Sequence, residues 1–281
     1  MSSKRTQNHK NQNYHYYGNN PAPKSDRKAL AVIYPVFAYF AICQVVGLLI
    51  GMLPFAALID DVKRQGIGSL VAFVVLYLYF VRGQSVGNEE KKRLLTAALS
   101  GKTVAGMALA ACMTGCAGIA MNNLLALTGL RQMSQSYQNV EQAFYSSGLG
   151  WEILALGIIT PVAEELLYRY IVFYMLRSWQ GAATAIVGSA LIFGLMHMNI
   201  VQTIYGSVIG LLLGILMEYY QDVRVVMCGH AMANILSLLR GETDFLDCLR
   251  IGHPWFVPVT VLLLALVVVI AGLLARTFKN D

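Results

Sequence analysis

Pro161-Val-Ala-Glu164-Glu165-Leu-Leu-Tyr168-Arg169 puts three charged residues inside the apolar run 149–176. Residues four apart share a helix face, so Glu165 reaches Arg169 with the acid N-terminal, the better order for such a pair. Glu164 is turned about 100° away by the helical period and faces towards Tyr168. Leaving a carboxylate or guanidinium unpaired in hydrocarbon costs several kcal/mol, so such residues pair with each other or face a polar cavity. Two later apolar runs repeat the theme, with Phe193-Gly-Leu-Met-His197 and His230-Ala-Met-Ala-Asn234 each pairing side chains four apart. The three stretches together describe a polar chamber inside an apolar protein.

The rest of the chain fits a membrane setting. It is 57% hydrophobic and only 13% charged, against about 25% charged residues in a soluble domain. Crossing a bilayer as helix takes about 20 apolar residues. Candidate spans are 29–58, 67–81, 104–127, 149–176, 182–198, 201–219, 223–239 and 255–274. They are continuous apolar runs, unlike the alternating segments of about ten residues that build barrels. The expected fold is therefore all-α, a polytopic membrane bundle of about eight transmembrane helices around a polar intramembrane cavity. Gly206, Gly210 and Gly214 recur every fourth position, a close-packing face for a neighbouring helix.

Lysine and arginine in the short loops set the orientation. Lys4, Arg5, Lys10, Lys24, Arg27 and Lys28, then Lys91, Lys92 and Arg93, then Arg276 and Lys279 mark the cytoplasmic side, with both termini on it. Residues 1–28 form a polar, Asn- and Tyr-rich tail with no apolar core of a signal peptide before Ala29. This tail is expected to be disordered and held at the anionic leaflet by its charge. The transmembrane domain is then 29–281, with its motif-bearing core at about 149–239. The net charge of +6 is explained by topology and lipid contact, with no nucleic-acid partner. Four of the five cysteines lie in apolar runs, so they read as packing residues and make no disulfide framework. Phosphate-binding loops, GxSxG elbows and HExxH helices are absent from the sequence, which removes the common nucleotide, serine-hydrolase and zincin readings.

Each polar stretch has a bland explanation when taken alone. Glu165 with Arg169 could be an ion-pair staple, His197 a satisfied residue at a helix end, and His230 with Asn234 helix–helix glue. Taken in order, the Glu pair with Arg169, Phe193-x-x-x-His197 and His230-x-x-x-Asn234 resemble the CPBP family of intramembrane CAAX proteases and bacteriocin-processing (Abi) proteins. The resemblance covers about 149–239. It implies an intramembrane endopeptidase in which Glu164 and His197 activate a water while His230 and Asn234 stabilise the oxyanion. Glu165, Arg169 and Phe193 would support them. The partners implied are a membrane-associated protein or peptide substrate, of CAAX or bacteriocin type, and the lipid bilayer. The implied location is the plasma membrane of a bacterium.

Zinc is the competing chemistry, because Glu164, His197 and His230 are also a two-His-one-carboxylate set. The metal-free mechanism is preferred, since Asn234 suits an oxyanion donor and no fourth protein ligand is evident. A non-catalytic scaffold or self-immunity protein of the same fold is the alternative function. A transporter is disfavoured because the two halves show no matched broken helices. One difficulty stands: His197 ends one span while His230 lies early in another that runs the same way, which places them nominally at opposite depths.

Overall fold

A computed structural model describes residues 25–84 and 98–277, and among them there are helices and no strands. The basic tail residues up to 24, the loop residues Lys91, Lys92 and Arg93, and Lys279 lie outside the described residues. In chain order the helices are α1 (Ser25–Gly51), α2 (Asp61–Leu76), α3 (Gly101–Thr128), α4 (Gln135–Phe144) and α5 (Leu149–Gln180). They continue with α6 (Ala182–Leu195), α7 (Ile200–Tyr220), α8 (Val223–Glu242) and α9 (Phe256–Thr277). The helix starts follow from short polar side chains that cap free N–H groups. Asp60, Ser100, Ser134, Asn199 and Asp222 each accept from a backbone N–H of the helix that follows.

The chain is an all-α integral membrane protein, but the expected eight spans are not all met. Among the described residues four helices qualify by length and apolarity: Lys28–Gly51, Gly101–Thr128, Ile200–Tyr220 and Phe256–Leu274. A fifth is reached if α4 and α5, bent by 108° at their junction, count as one. The other expected spans are helical but short or charged. The α6 helix has 14 residues, about 21 Å of rise, against a hydrocarbon layer of about 30 Å. Charges sit at the start of α2 (Asp61, Lys63, Arg64) and at both ends of α8 (Arg224, Arg240, Glu242). The first expected span also stops early, because α1 ends at Gly51, just before Pro54.

Exposure sorts the helices into an outer and an inner set. Only 22% of the apolar window of α1 and 17% of that of α9 is buried, whereas α3 and α7 reach 50%. Leu30, Phe37, Leu262 and Val268 are each more than half exposed, which suits faces turned to lipid tails. Inside, small residues let backbones meet, as expected for helices that lack a hydrophobic drive in lipid. The α7 stripe packs on α6: a Cβ added at Gly206, Gly210 or Gly214 would lie 3.3, 3.0 or 3.2 Å from the Cα of Gly194, Ala190 or Ile186. The α3–α8 crossing is tied by Thr114, whose hydroxyl lies 2.6 Å from the Gly229 carbonyl.

Candidate active site

The site is organised by irregularities in α5. Two π-helical segments, Ile153–Ile159 and Leu166–Phe173, flank a single α-helical stretch, Thr160–Glu165. Such segments open the backbone ladder and often mark functional positions. Pro161 stands just after the first of them. The Thr160 N–H bonds back to Ala155 O, five residues earlier, so the next bond in that pattern would run from residue 161 to Leu156 O. Proline has no N–H to make it. The Leu156 carbonyl is thereby freed, and Asn234 Nδ2 donates to it across 2.9 Å. A proline on one helix thus creates the anchor for the asparagine of another.

Glu165 and Arg169 are fully buried and form the expected pair, Nε to Oε2 at 3.3 Å. Arg169 Nη2 also donates to Gly210 O at 3.3 Å, and its guanidinium lies 5.5 Å from the centre of the Phe193 ring. Glu165 has a second partner that the sequence did not disclose: its Oε1 lies 2.9 Å from His230 Nδ1. A carboxylate can only accept, so that nitrogen carries the hydrogen. His230 then turns Nε2 towards Glu164, with 3.8 Å to Oε2. The Glu164 side chain keeps 15% of its surface exposed, whereas Glu165 keeps none.

His197 lies just past the end of α6, in the turn before α7, with Nδ1 3.0 Å from the Phe193 carbonyl. That carbonyl accepts, which leaves Nε2 of the neutral ring with a free lone pair. Phe193 packs near-perpendicular to both imidazoles, with ring centres 5.0 Å from His197 and 5.3 Å from His230. Tyr168 packs against the same ring at 5.1 Å. The structure therefore brings all seven expected residues to one place. Glu164, His197, His230, Asn234, Phe193 and Tyr168 line a common cavity of about 730 Å³, while Glu165 and Arg169 lie behind its wall.

One further polar chain was not anticipated. Tyr39 on α1, Ser69 on α2 and Thr160 on α5 link hydroxyl to hydroxyl at 3.1 Å each, all of them buried. Thr160 lies four residues before Glu164, on its face of the helix, and that spacing was the available signal. The partners Tyr39 and Ser69 sit on helices whose contact no local pattern predicts.

Among the described residues no three His, Cys, Asp or Glu side chains converge to hold a metal ion. His230 turns Nε2 towards Glu164 at 3.8 Å, and His197 keeps Nε2 free. All five cysteines are free, and Cys112 and Cys248 are exposed rather than packed.

His197 and His230, nominally at opposite depths, both pack on Phe193, so the structure holds the two imidazoles at one level. No curated protein and no solved structure matches this chain. Residues 146–236, which run from just before α5 into α8 and hold every motif residue, match the family model described as type II CAAX prenyl endopeptidase Rce1-like, so this motif-bearing core is similar to the protease family that the three motifs resemble.

Proposed function

We propose that this protein is an intramembrane endopeptidase that uses Glu164 and His197 to activate water and His230 and Asn234 to hold the oxyanion. The observation that carries the reading is the contrast between two adjacent glutamates. Glu165 is sealed in an ion pair with Arg169 and a hydrogen bond from His230, and Glu164, 3.8 Å from His230 Nε2, faces the cavity. A polar gap of that size suits a bridging water. Glu164 takes a proton from this water, aided by the free Nε2 of His197, and the resulting hydroxide attacks the peptide carbonyl. When His230 also carries a proton on Nε2, it donates to the developing oxyanion while Nδ1 stays on Glu165. Asn234, one turn along α8, offers its second amide N–H to the same oxygen. Collapse breaks the C–N bond, and Glu164 passes its proton to the leaving amine.

The proposed substrate is a membrane-associated protein or peptide, with processing of CAAX or bacteriocin type, and the proposed mechanism is metal-free. A cavity of about 730 Å³ falls in the usual range for sites that enclose a ligand, about 300–1,000 Å³. We place the protein in the plasma membrane of a bacterium with both termini in the cytoplasm, and assign residues 29–281 to one transmembrane domain behind a basic tail. The test is a comparison of protein termini in membranes that carry the wild-type chain, Glu164→Gln or no protein. New termini that appear only with wild type support the reading. Termini that persist with Glu164→Gln favour a non-catalytic scaffold or immunity role.

A further inference from the structure

The cavity that holds Glu164 is also lined by two arginines that lack an acid. Arg240 lies ten residues after His230 on α8, about 15 Å along the axis. Its guanidinium is held by main-chain oxygens alone, Ile119 O at 3.5 Å and Leu249 O at 2.9 Å. Arg131, from the helical turn Leu130–Met133 after α3, donates to Asn122 Oδ1 and lies 5.8 Å from the centre of the Tyr137 ring. Its Nε is buried without a hydrogen-bond partner. Neither arginine has a carboxylate within ion-pair distance among the described residues.

The other acids of this end of the cavity have partners of their own. Tyr137 donates to Glu141 at 2.9 Å, and Asp61 lies 3.5 Å from Arg64. Arg250, the third arginine of the wall, is neutralised by Asp247 at 2.7 Å. The neighbours of Arg131 are pre-set: Asn122 donates to Ser237 at 3.1 Å, and Ser237 meets the Tyr205 hydroxyl at 3.2 Å. On α8, His230, Asn234 and Ser237 fall on one face of the helix, and Arg240 continues the row towards the helix end. The polar lining is thus continuous from Glu164 to the arginines.

We propose that Arg131 and Arg240 form a subsite for a carboxylate of the peptide substrate, carried within about five residues of the cleaved bond, since extended chain covers about 3.3 Å per residue. This rests on the endopeptidase reading of the same cavity. Two guanidiniums that have only neutral partners gain most from an anionic one, because charge-assisted bonds are roughly twice as strong as neutral ones. A peptide carboxylate is favoured over a lipid phosphate because the arginines share a continuous wall with Glu164 and His230. The carboxylate can be a chain end or an acidic side chain.

The experiment measures binding rather than cleavage, so its outcome is separable from that of the activity test. The full chain carrying Glu164→Gln, in detergent micelles, is titrated into short apolar peptides labelled at the N-terminus. One peptide ends in a free carboxylate, one in a carboxamide, and one in a carboxamide preceded by glutamate. The subsite predicts that the free-carboxylate peptide, the glutamate peptide or both bind at least about tenfold more tightly than the plain carboxamide. Adding Arg131→Gln or Arg240→Gln should erase that difference while the carboxamide affinity stays the same. The preferred peptide shows whether the carboxylate is a chain end or a side chain. Equal binding of all three, binding of none, or a difference that survives both variants overturns the proposal. So does competition by phosphatidylglycerol with no peptide preference, which would assign the arginines to lipid.

Discussion

His230 donates from Nδ1 to Glu165 Oε1 across 2.9 Å, a bond that joins α8 to α5 in a fully buried setting. The same carboxylate holds Arg169 on its other oxygen. Glu165 therefore does two jobs: it neutralises a buried guanidinium and fixes the direction in which His230 presents Nε2 to the cavity.

Replacing that carboxylate should unfold more than it inactivates. In Glu165→Gln, Arg169 keeps its charge with no acid beside it, and orphaning one partner of a buried pair costs about 3–5 kcal/mol. Glu164→Gln removes a carboxyl with no such partner and should shift stability by less than about 1 kcal/mol. Thermal unfolding of both variants in detergent checks this. Equal losses would contradict the division of labour between the two glutamates.

Close packing of α6 on α7 is the second test. A Cβ at Gly194 would lie 2.6 Å from Thr203 O and 2.9 Å from Ser207 N, both backbone atoms that cannot swing aside. Gly194→Ala should therefore destabilise the protein by about 1–3 kcal/mol and disturb His197 three residues on. Gly47 in α1 has nothing within 4 Å of an added Cβ. Gly47→Ala should be neutral or stabilising by up to about 1 kcal/mol. Similar melting temperatures for the two variants would show that the α6–α7 contact is not as tight as drawn.

Much of this arrangement was legible in the sequence, and the reason is helical period. Glu165 with Arg169, Phe193 with His197, and His230 with Asn234 are each four apart, so the faces they share could be read directly. The glycine stripe of α7 was legible for the same reason. What was hidden depends on contacts between helices. The Glu165–His230 bond, the Tyr39–Ser69–Thr160 chain and the Leu156 anchor of Asn234 each join residues dozens apart, and no local pattern encodes them. Hydropathy marked 182–198 and 223–239 as spans; the structure makes one a helix of 14 residues and the other a helix charged at both ends, and neither is among the helices long and apolar enough to cross a membrane.

The cap of α2 gives a pH prediction outside the membrane-spanning segments. Partial burial pushes the Asp60 carboxyl up, but hydrogen bonds from the Lys63 side chain, the Ser147 hydroxyl and the Lys63 N–H outweigh it and hold the group at about 2. A carboxyl lowered on folding stabilises the folded state above its ordinary range, and that stabilisation is lost as pH falls towards the folded value. The stability difference between wild type and Asp60→Asn should therefore be constant near neutrality and shrink between about pH 4 and about pH 2. A difference that holds steady through that window would contradict the cap.

Elemental analysis addresses the metal question. Because no three His, Cys, Asp or Glu side chains converge to hold a metal ion among the described residues, the purified protein should carry well under one zinc per chain. Its activity should survive a chelator. One zinc per chain, lost in both His197→Ala and His230→Ala, would replace the metal-free route with a zinc one and leave the protease assignment standing.

The central claim is that Glu164 activates the water that cleaves the peptide bond. Its most direct measurement is hydrolysis of a membrane substrate by purified Glu164→Gln, with melting temperature and elution profile confirming that the variant is folded. Removing a general base costs about 10²–10⁴ in rate, so the account predicts turnover at least about a hundredfold below wild type with substrate binding retained. A folded Glu164→Gln that turns over at the wild-type rate would contradict it.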